Sequence, residues 1–320
     1  MDGPILEVRD LTIAYYTFEG VVKAARNVSF SVDAGDTACL VGESGSGKST
    51  VVSAIALSLP PNAIIEKGSI IYSGKDLVST SREEIERIKG REISMIFQDP
   101  ASAFSPLHTV GEHLFDIASS IRGKDEEKNR DMIIEALRKV RLSDPERILG
   151  SYPHQLSGGM LQRVAIAASL LTGSKLLIAD EPTTMLDATI QRQILGLLKE
   201  LVGNEGMTLV MVTHNLNVAR EVCRKTVIMY AGIVVEDGET EEIFRKPLHP
   251  YTQGLIRAIP RNSHKVEKIK QIPGEPPDLR RVGGGCPFMS RCEHASEECR
   301  KLSEYYVVNG RRVFCRLYAG

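Results

Sequence analysis

The sequence predicts an α/β fold, and three stretches predict it. Residues 1–85 read as strands and turns. Residues 82–172 carry apolar side chains at helical spacing. A strand–helix alternation returns after residue 174. The chain has 320 residues, which fits one large domain or two modest ones. Its 42% apolar content is enough to bury a core and argues against disorder.

Each element has its own signal. Ile5–Tyr16 and Val21–Val32 alternate apolar and polar side chains, as half-buried strands do. Thr37–Val41 is a short apolar run that ends in glycines. Ser49–Leu59 reads as a helix halted by Pro60 and Pro61, and Gly68–Leu77 as a further hairpin element. Glu83–Lys89 and Asp125–Val140 have charged outer faces, whereas Leu161–Leu171 is apolar on most sides, as a buried helix would be. Lys175–Ala179 and Thr208–Val212 are short apolar runs of the kind found in a covered parallel sheet, with Ala188–Leu201 as the helix between them. Thr226–Tyr230 and Ile233–Glu236 flank Ala231-Gly232 as a hairpin. Beyond Pro247 the density of Pro, Gly and charge rises.

Lys and Arg number 40 against 41 Asp and Glu, a net charge of -1. That excludes a bulk electrostatic drive onto nucleic acid or anionic lipid, though not a local basic patch. No apolar run approaches the ~20 residues that cross a bilayer. The start, MDGPILEVRD, has no basic segment followed by an apolar one, so no signal peptide and a cytosolic location are expected.

Gly42-Glu-Ser-Gly-Ser-Gly47-Lys48-Ser49 matches G-x-x-x-x-G-K-[ST], between a predicted strand and a predicted helix. Gly42, Ser44, Gly45, Ser46 and Gly47 let backbone N–H groups turn inward around anionic oxygens, and the helix start adds partial positive charge. Lys48 would reach the β- and γ-phosphates of ATP, the Ser49 hydroxyl would ligate Mg²⁺, and Thr50 completes the cradle. The bland alternative is a Gly/Ser-rich turn. Leu176–Asp180 followed by Glu181 is an apolar strand ending in two carboxylates. Asp180 would support the Mg²⁺ shell, and Glu181 would orient or deprotonate the attacking water. Without the phosphate loop, a solvated acidic strand end would be the preferred reading.

Leu156-Ser157-Gly158-Gly159-Met160-Leu161-Gln162-Arg163 resembles the signature of ATP-binding-cassette (ABC) ATPases, and the other cassette motifs follow in order. The resemblance implies an ABC-type P-loop domain. It would have a RecA-like core, an antiparallel β subdomain, a helical subdomain at about 90–172, and a C-terminal cysteine-bearing extension. Tyr15 resembles the aromatic that stacks on adenine, with Tyr16 as the neighbouring candidate. Gln98 resembles the Q-loop residue near the metal, Thr184-Met185-Leu186-Asp187 resembles the D-loop, and His214 resembles the switch histidine that contacts the γ-phosphate. Met185 and Asn215 are mild departures that replace no catalytic group. Ser157, Gly158 and Gly159 would serve the ATP of a second subunit in a head-to-tail dimer, with a paralogue favoured as the partner.

Pro247–Thr252 with Gly254-Leu255, Ile272–Leu279 and Gly285–Phe288 resemble the tail of dipeptide/oligopeptide transporter ATPases. The domains expected are therefore 1–247 and 248–320. The function expected is ATP-driven import of di- or oligopeptides, with oligosaccharides or nickel chelates as alternative cargo and a soluble, non-transport ATPase as a further one. The implied partners are two separate permease subunits and an extracellular substrate-binding protein, but no nucleic acid. The implied location is the cytoplasmic face of the membrane, held peripherally.

Cys286, Cys292, Cys299 and Cys315 are spaced C-x5-C-x6-C-x15-C. Paired C-x2–4-C knuckles, usual for Zn²⁺, are absent. Longer irregular spacing and the family resemblance favour a [4Fe–4S] cluster over Zn²⁺. Cys39 and Cys223 are expected to be small buried hydrophobes.

Overall fold

The computed structural model describes residues 3–259 and 271–319. In chain order it contains β1 (Leu6–Thr17), β2 (Gly20–Val32), β3 (Thr37–Val41), α1 (Lys48–Ile55), β4 (Ala63–Tyr72) and β5 (Lys75–Asp76). Then come α2 (Arg82–Ile88), β6 (Ile93–Ile96), α3 (Val110–Arg122), α4 (Glu126–Lys139), α5 (Pro145–Gly150), α6 (Gly158–Thr172), β7 (Leu176–Asp180), α7 (Ala188–Glu205) and β8 (Thr208–Thr213). The last elements are α8 (Leu216–Val222), β9 (Lys225–Tyr230), β10 (Ile233–Glu239), α9 (Thr240–Arg245), α10 (Pro250–Arg257), β11 (Tyr306–Val308) and β12 (Arg311–Val313).

The chain divides into two units. One takes the residues up to Thr80 together with those from Val212, and the other takes Ser81–Met211.

The first unit holds two β systems. β1 pairs antiparallel with both β2 and β4, and β4 with β5. In the second system β3 lies parallel to β9, β9 runs antiparallel to β10, β10 to β12, and β12 to β11. β3 is buried at all five positions, which explains why its sequence is an unbroken apolar run and not an alternation. β11 and β12 come from the tail, and β12 hydrogen-bonds to the outer side of β10 at Glu236↔Val313 and Asp237↔Arg312.

In the second unit β6 and β7 pair in parallel from Ile93↔Leu176 to Ile96↔Ala179. β6 interrupts a stretch whose sequence looked helical. Four residues are too few to show a period against the helices around them. α3 opens with a reciprocal cap: Thr109 Oγ1 accepts the Glu112 N–H and the Glu112 carboxylate accepts the Thr109 N–H. α6 buries Leu161, Val164, Ile166, Ala167 and Leu171, as its all-round apolar sequence requires.

Cys39 of β3 and Cys223, just after α8, are both buried as expected. They are also joined as a disulfide, with their Cα atoms 5.7 Å apart. The pairing was invisible in the sequence because 184 residues separate them.

Candidate nucleotide site and the tail against the phosphate loop

The residues expected to handle the nucleotide fall into two groups, one in each unit. In the first unit, β3 delivers the chain into Gly42, and α1 begins at Lys48 behind Gly47, which has φ +97°. Neither glycine is replaceable on steric grounds. A Cβ at Gly42 would stand 2.1 Å from the Met229 carbonyl oxygen, and one at Gly47 2.1 Å from that of Ala24. The Lys48 ammonium is buried inside the curve of the loop. It donates to Gly42 O at 2.9 Å, to Glu43 O at 2.8 Å and to Ser46 Oγ at 3.3 Å. A buried ammonium is tolerated only with such partners. Ser44 and Gly45 are exposed on the loop and Ser46 is buried in it, while in the first turn of α1 Ser49 is exposed and Thr50 is half-buried.

Tyr15 is half-buried, and its hydroxyl lies 3.2 Å from Thr50 Oγ1 on α1. Tyr16 turns the other way, is exposed, and donates its hydroxyl proton to Glu66 at 3.0 Å. His214 is exposed in the turn between β8 and α8, where Asn215 caps the helix by accepting the Asn217 N–H at 2.9 Å.

In the second unit, Gln98 is exposed just beyond β6. β7 is buried along its length and ends at Asp180, which is buried. Glu181 follows at φ +45°, a left-handed conformation uncommon for a residue with a side chain, and its carboxylate accepts the Thr184 hydroxyl proton at 2.8 Å. Ser157 caps α6, its Oγ accepting the Met160 N–H at 3.3 Å. Gly158 and Gly159 open that helix. A Cβ on Gly159 would come within 2.6 Å of Ile190 Cγ2. Asp187 caps α7, accepting N–H groups from Thr189 and Ile190 at 3.0 Å each. A cavity of about 350 Å³ brings Gln98, Gly158, Gln162, Met185 and Leu186 to one wall system. The first group offers N–H donors and an ammonium, and the second offers carboxylate and amide oxygens.

The tail was expected to hold a four-thiolate metal site, and that expectation is corrected. Among the described residues no three His, Cys, Asp or Glu side chains form a group that could hold a metal ion. Cys286, Cys292, Cys299 and Cys315 are free thiols. Burial pushes Cys286 up to about 12 and Cys315 up to about 11, and it raises Cys292 too, so protonated thiols are favoured. Cys315 packs with Leu248 and Val313 as a core residue. Neither a [4Fe–4S] cluster nor Zn²⁺ is therefore retained for these cysteines.

The tail instead engages the phosphate loop. The Glu43 N–H donates to Tyr251 Oη at 2.9 Å. Both Glu43 carboxylate oxygens accept from Arg291, at 2.7 and 3.1 Å. Burial disfavours the Arg291 charge, but the Glu43 carboxylate and the Tyr230 hydroxyl outweigh that and hold its pKa above the ordinary value. Tyr230, Tyr251 and Phe288 pack as a triangle with ring centroids 4.7 to 5.3 Å apart. His249 starts α10 with Nδ1 accepting the Tyr251 N–H at 3.0 Å. Burial lowers its pKa to about 3, so the ring is neutral. Sequence reasoning missed Arg291 and Glu43 because 248 residues separate them; only the family-like motif around Tyr251 marked the region.

Comparison with known proteins identifies the family. Residues 25–184 match the ABC transporter family, and residues 235–299 match the oligopeptide/dipeptide transporter C-terminal region. The chain is 43% identical to the oligopeptide transport ATP-binding protein OppD of Haemophilus influenzae, over 93% of this chain and 92% of that one. It is also 43% identical to OppD of Bacillus subtilis, over 91% and 82%. Among solved structures, the dimeric post-hydrolysis ATP-binding cassette MJ0796 bound to ADP and Pi is similar. The TM-score is 0.66 at 30% identity, over 73% of this chain and 98% of that one. No helix among the described residues is long and apolar enough to cross a membrane. The chain thus belongs to the ABC transporter family, as an ATP-hydrolysing, ATP-binding subunit that carries the oligopeptide/dipeptide transporter C-terminal region.

Proposed function

We propose that this chain powers the import of di- or oligopeptides through separate permease subunits, fed by an extracellular substrate-binding protein. The observation that carries the reading is a phosphate loop with Lys48 inside it, in a chain that also matches the oligopeptide/dipeptide transporter C-terminal region. The loop N–H groups and Lys48 bind the phosphates, and Tyr15 stacks on adenine. Glu181 takes the proton from the attacking water, and His214 contacts the γ-phosphate. The Ser49 hydroxyl, the Asp180 carboxylate and the Gln98 amide are hard oxygen donors of the kind that suits Mg²⁺. That ion, when bound with ATP, neutralises phosphate charge. Ser157, Gly158 and Gly159 present a helix start to the ATP of a partner ATPase subunit, a paralogue or a second copy.

The chain works from the cytoplasmic face, docked peripherally on the permeases. Its helical segment, about 90–172, supplies the docking surface. A groove of about 440 Å³ at its edge, lined by Phe104, Ile117 and Ile121 together with Glu86, Lys89 and Arg91, offers apolar and charged contacts for a permease segment. Residues 248–320 form an extension fastened to the cassette at 1–247.

Glu181→Gln tests the chemistry. The variant should bind ATP normally, lose turnover and accumulate as a closed dimer on size exclusion. Near-normal hydrolysis would refute Glu181 as the base. For cargo, inactivating the gene should abolish growth on a tripeptide that supplies a required amino acid. Unchanged growth would sink the peptide assignment.

A further inference from the structure

Glu43 stands directly after Gly42 in the phosphate loop, and each of its polar groups is held. Its carbonyl accepts from Lys48 at 2.8 Å, and its N–H donates to Tyr251 Oη at 2.9 Å. Its carboxylate takes the two-pronged grip of Arg291. Two of those three partners come from the tail. Arg291 itself is almost fully occupied. Nη1 also donates to Tyr230 Oη at 3.2 Å, and Nε donates to Pro273 O at 2.8 Å. Its side chain is 5% exposed, and the guanidinium lies 5.7 Å from the Tyr230 ring centroid and 5.9 Å from that of Phe288. The proline-rich Ile272–Leu279 stretch and the Gly285–Phe288 turn thus converge on one guanidinium, and the guanidinium on one loop acid.

We propose that Arg291, with Tyr251, is a positioning residue for ATP binding: the tail sets the curvature and the charge of the phosphate loop through Glu43. Two physical effects follow from the geometry. A loop fixed at Glu43 presents its N–H groups without reordering when the phosphates arrive. The guanidinium also neutralises a carboxylate that would otherwise repel a polyanion from within its own binding loop. An arginine suits this role because its planar fork satisfies both carboxylate oxygens at once, which a lysine cannot do. The proposal rests on the reading of residues 42–49 as the ATP site.

The test uses the full chain and steady-state ATPase kinetics, with binding of a fluorescent ATP analogue measured in parallel. Arg291→Gln should raise KM for ATP and the analogue Kd about tenfold, a shift of about 1.4 kcal/mol, while kcat changes less than about twofold. Adding Glu43→Gln to that variant removes the stranded carboxylate and should recover most of the loss. Arg291→Lys should fall between. Melting without nucleotide reports folding. A folded Arg291→Gln with unchanged KM and Kd would overturn the proposal, as would a double variant no better than the single one. Absence of ATP binding in the unaltered chain would overturn the reading of the loop itself, a different and separable outcome.

Discussion

Arg311 of β12 meets Glu236 of β10 in an ion pair whose side chains are 4% and 0% exposed. The carboxylate also accepts the N–H groups of Leu248 and His249 at 2.9 to 3.1 Å. Burial raises the Glu236 pKa, and those two N–H groups and Arg311 pull it back. One carboxylate thus ties a core strand, the start of α10 and the tail hairpin together.

Truncating one partner of a buried pair strands the other charge and costs about 3–5 kcal/mol. Arg311→Met should therefore lose stability on that scale in urea unfolding. Arg311→Met with Glu236→Gln should lose less, because Gln keeps an acceptor for the Leu248 and His249 N–H groups without a net charge. Equal losses in the two proteins would mean the pair itself is not the anchor.

His249 gives stability a definite pH dependence. Its pKa falls from 6.5 to about 3 on folding because burial excludes the charged ring. The unfolded chain therefore binds the extra proton first. Stability from this group is complete above about 6.5 and is lost as pH falls toward about 3. The slope reaches about 1.4 kcal/mol per pH unit. His249→Asn keeps an acceptor for the Tyr251 N–H but cannot titrate. Its unfolding free energy should fall less steeply between about pH 6 and pH 4. Parallel curves for the two proteins would exclude His249 as the source.

Asp187 holds two N–H groups at the start of α7. Asp187→Ala should cost about 1 kcal/mol in chemical denaturation, the usual loss for an N-cap. Asp187→Asn, which still accepts, should cost less than half of that. An Ala variant as stable as the unaltered chain would show that water replaces the cap.

Much of this was legible in the sequence. The phosphate loop showed because its glycines answer local demands: Gly47 needs a positive φ, and Gly42 lies against the Met229 carbonyl. β3, β7 and α6 showed as apolar runs because both faces or all sides are buried. β6 did not, since four residues carry no readable period. The cysteines misled because neighbouring thiols do not by themselves make a metal site. Cys292 and Cys299 lie near enough to both Cys286 and Cys315 to add to the rise that burial gives their pKa values, yet no metal-holding group forms among the described residues. Cys315 reaches the Leu248 core, and the pair that does bond, Cys39 with Cys223, is far apart in sequence. The grip of Arg291 on Glu43 was equally hidden, since no local pattern encodes a contact across 248 residues.

The tail hairpin also changes what the sheet shows to other molecules. β10 is a seven-residue strand, and without β12 its outer backbone groups would be open to pairing with another chain. The hairpin moves that margin to β11, only three residues long, with Val307 exposed on it. A strand that short gives an incoming strand little to bind. A chain shortened before Tyr306 should therefore aggregate on concentration even where its cassette remains folded.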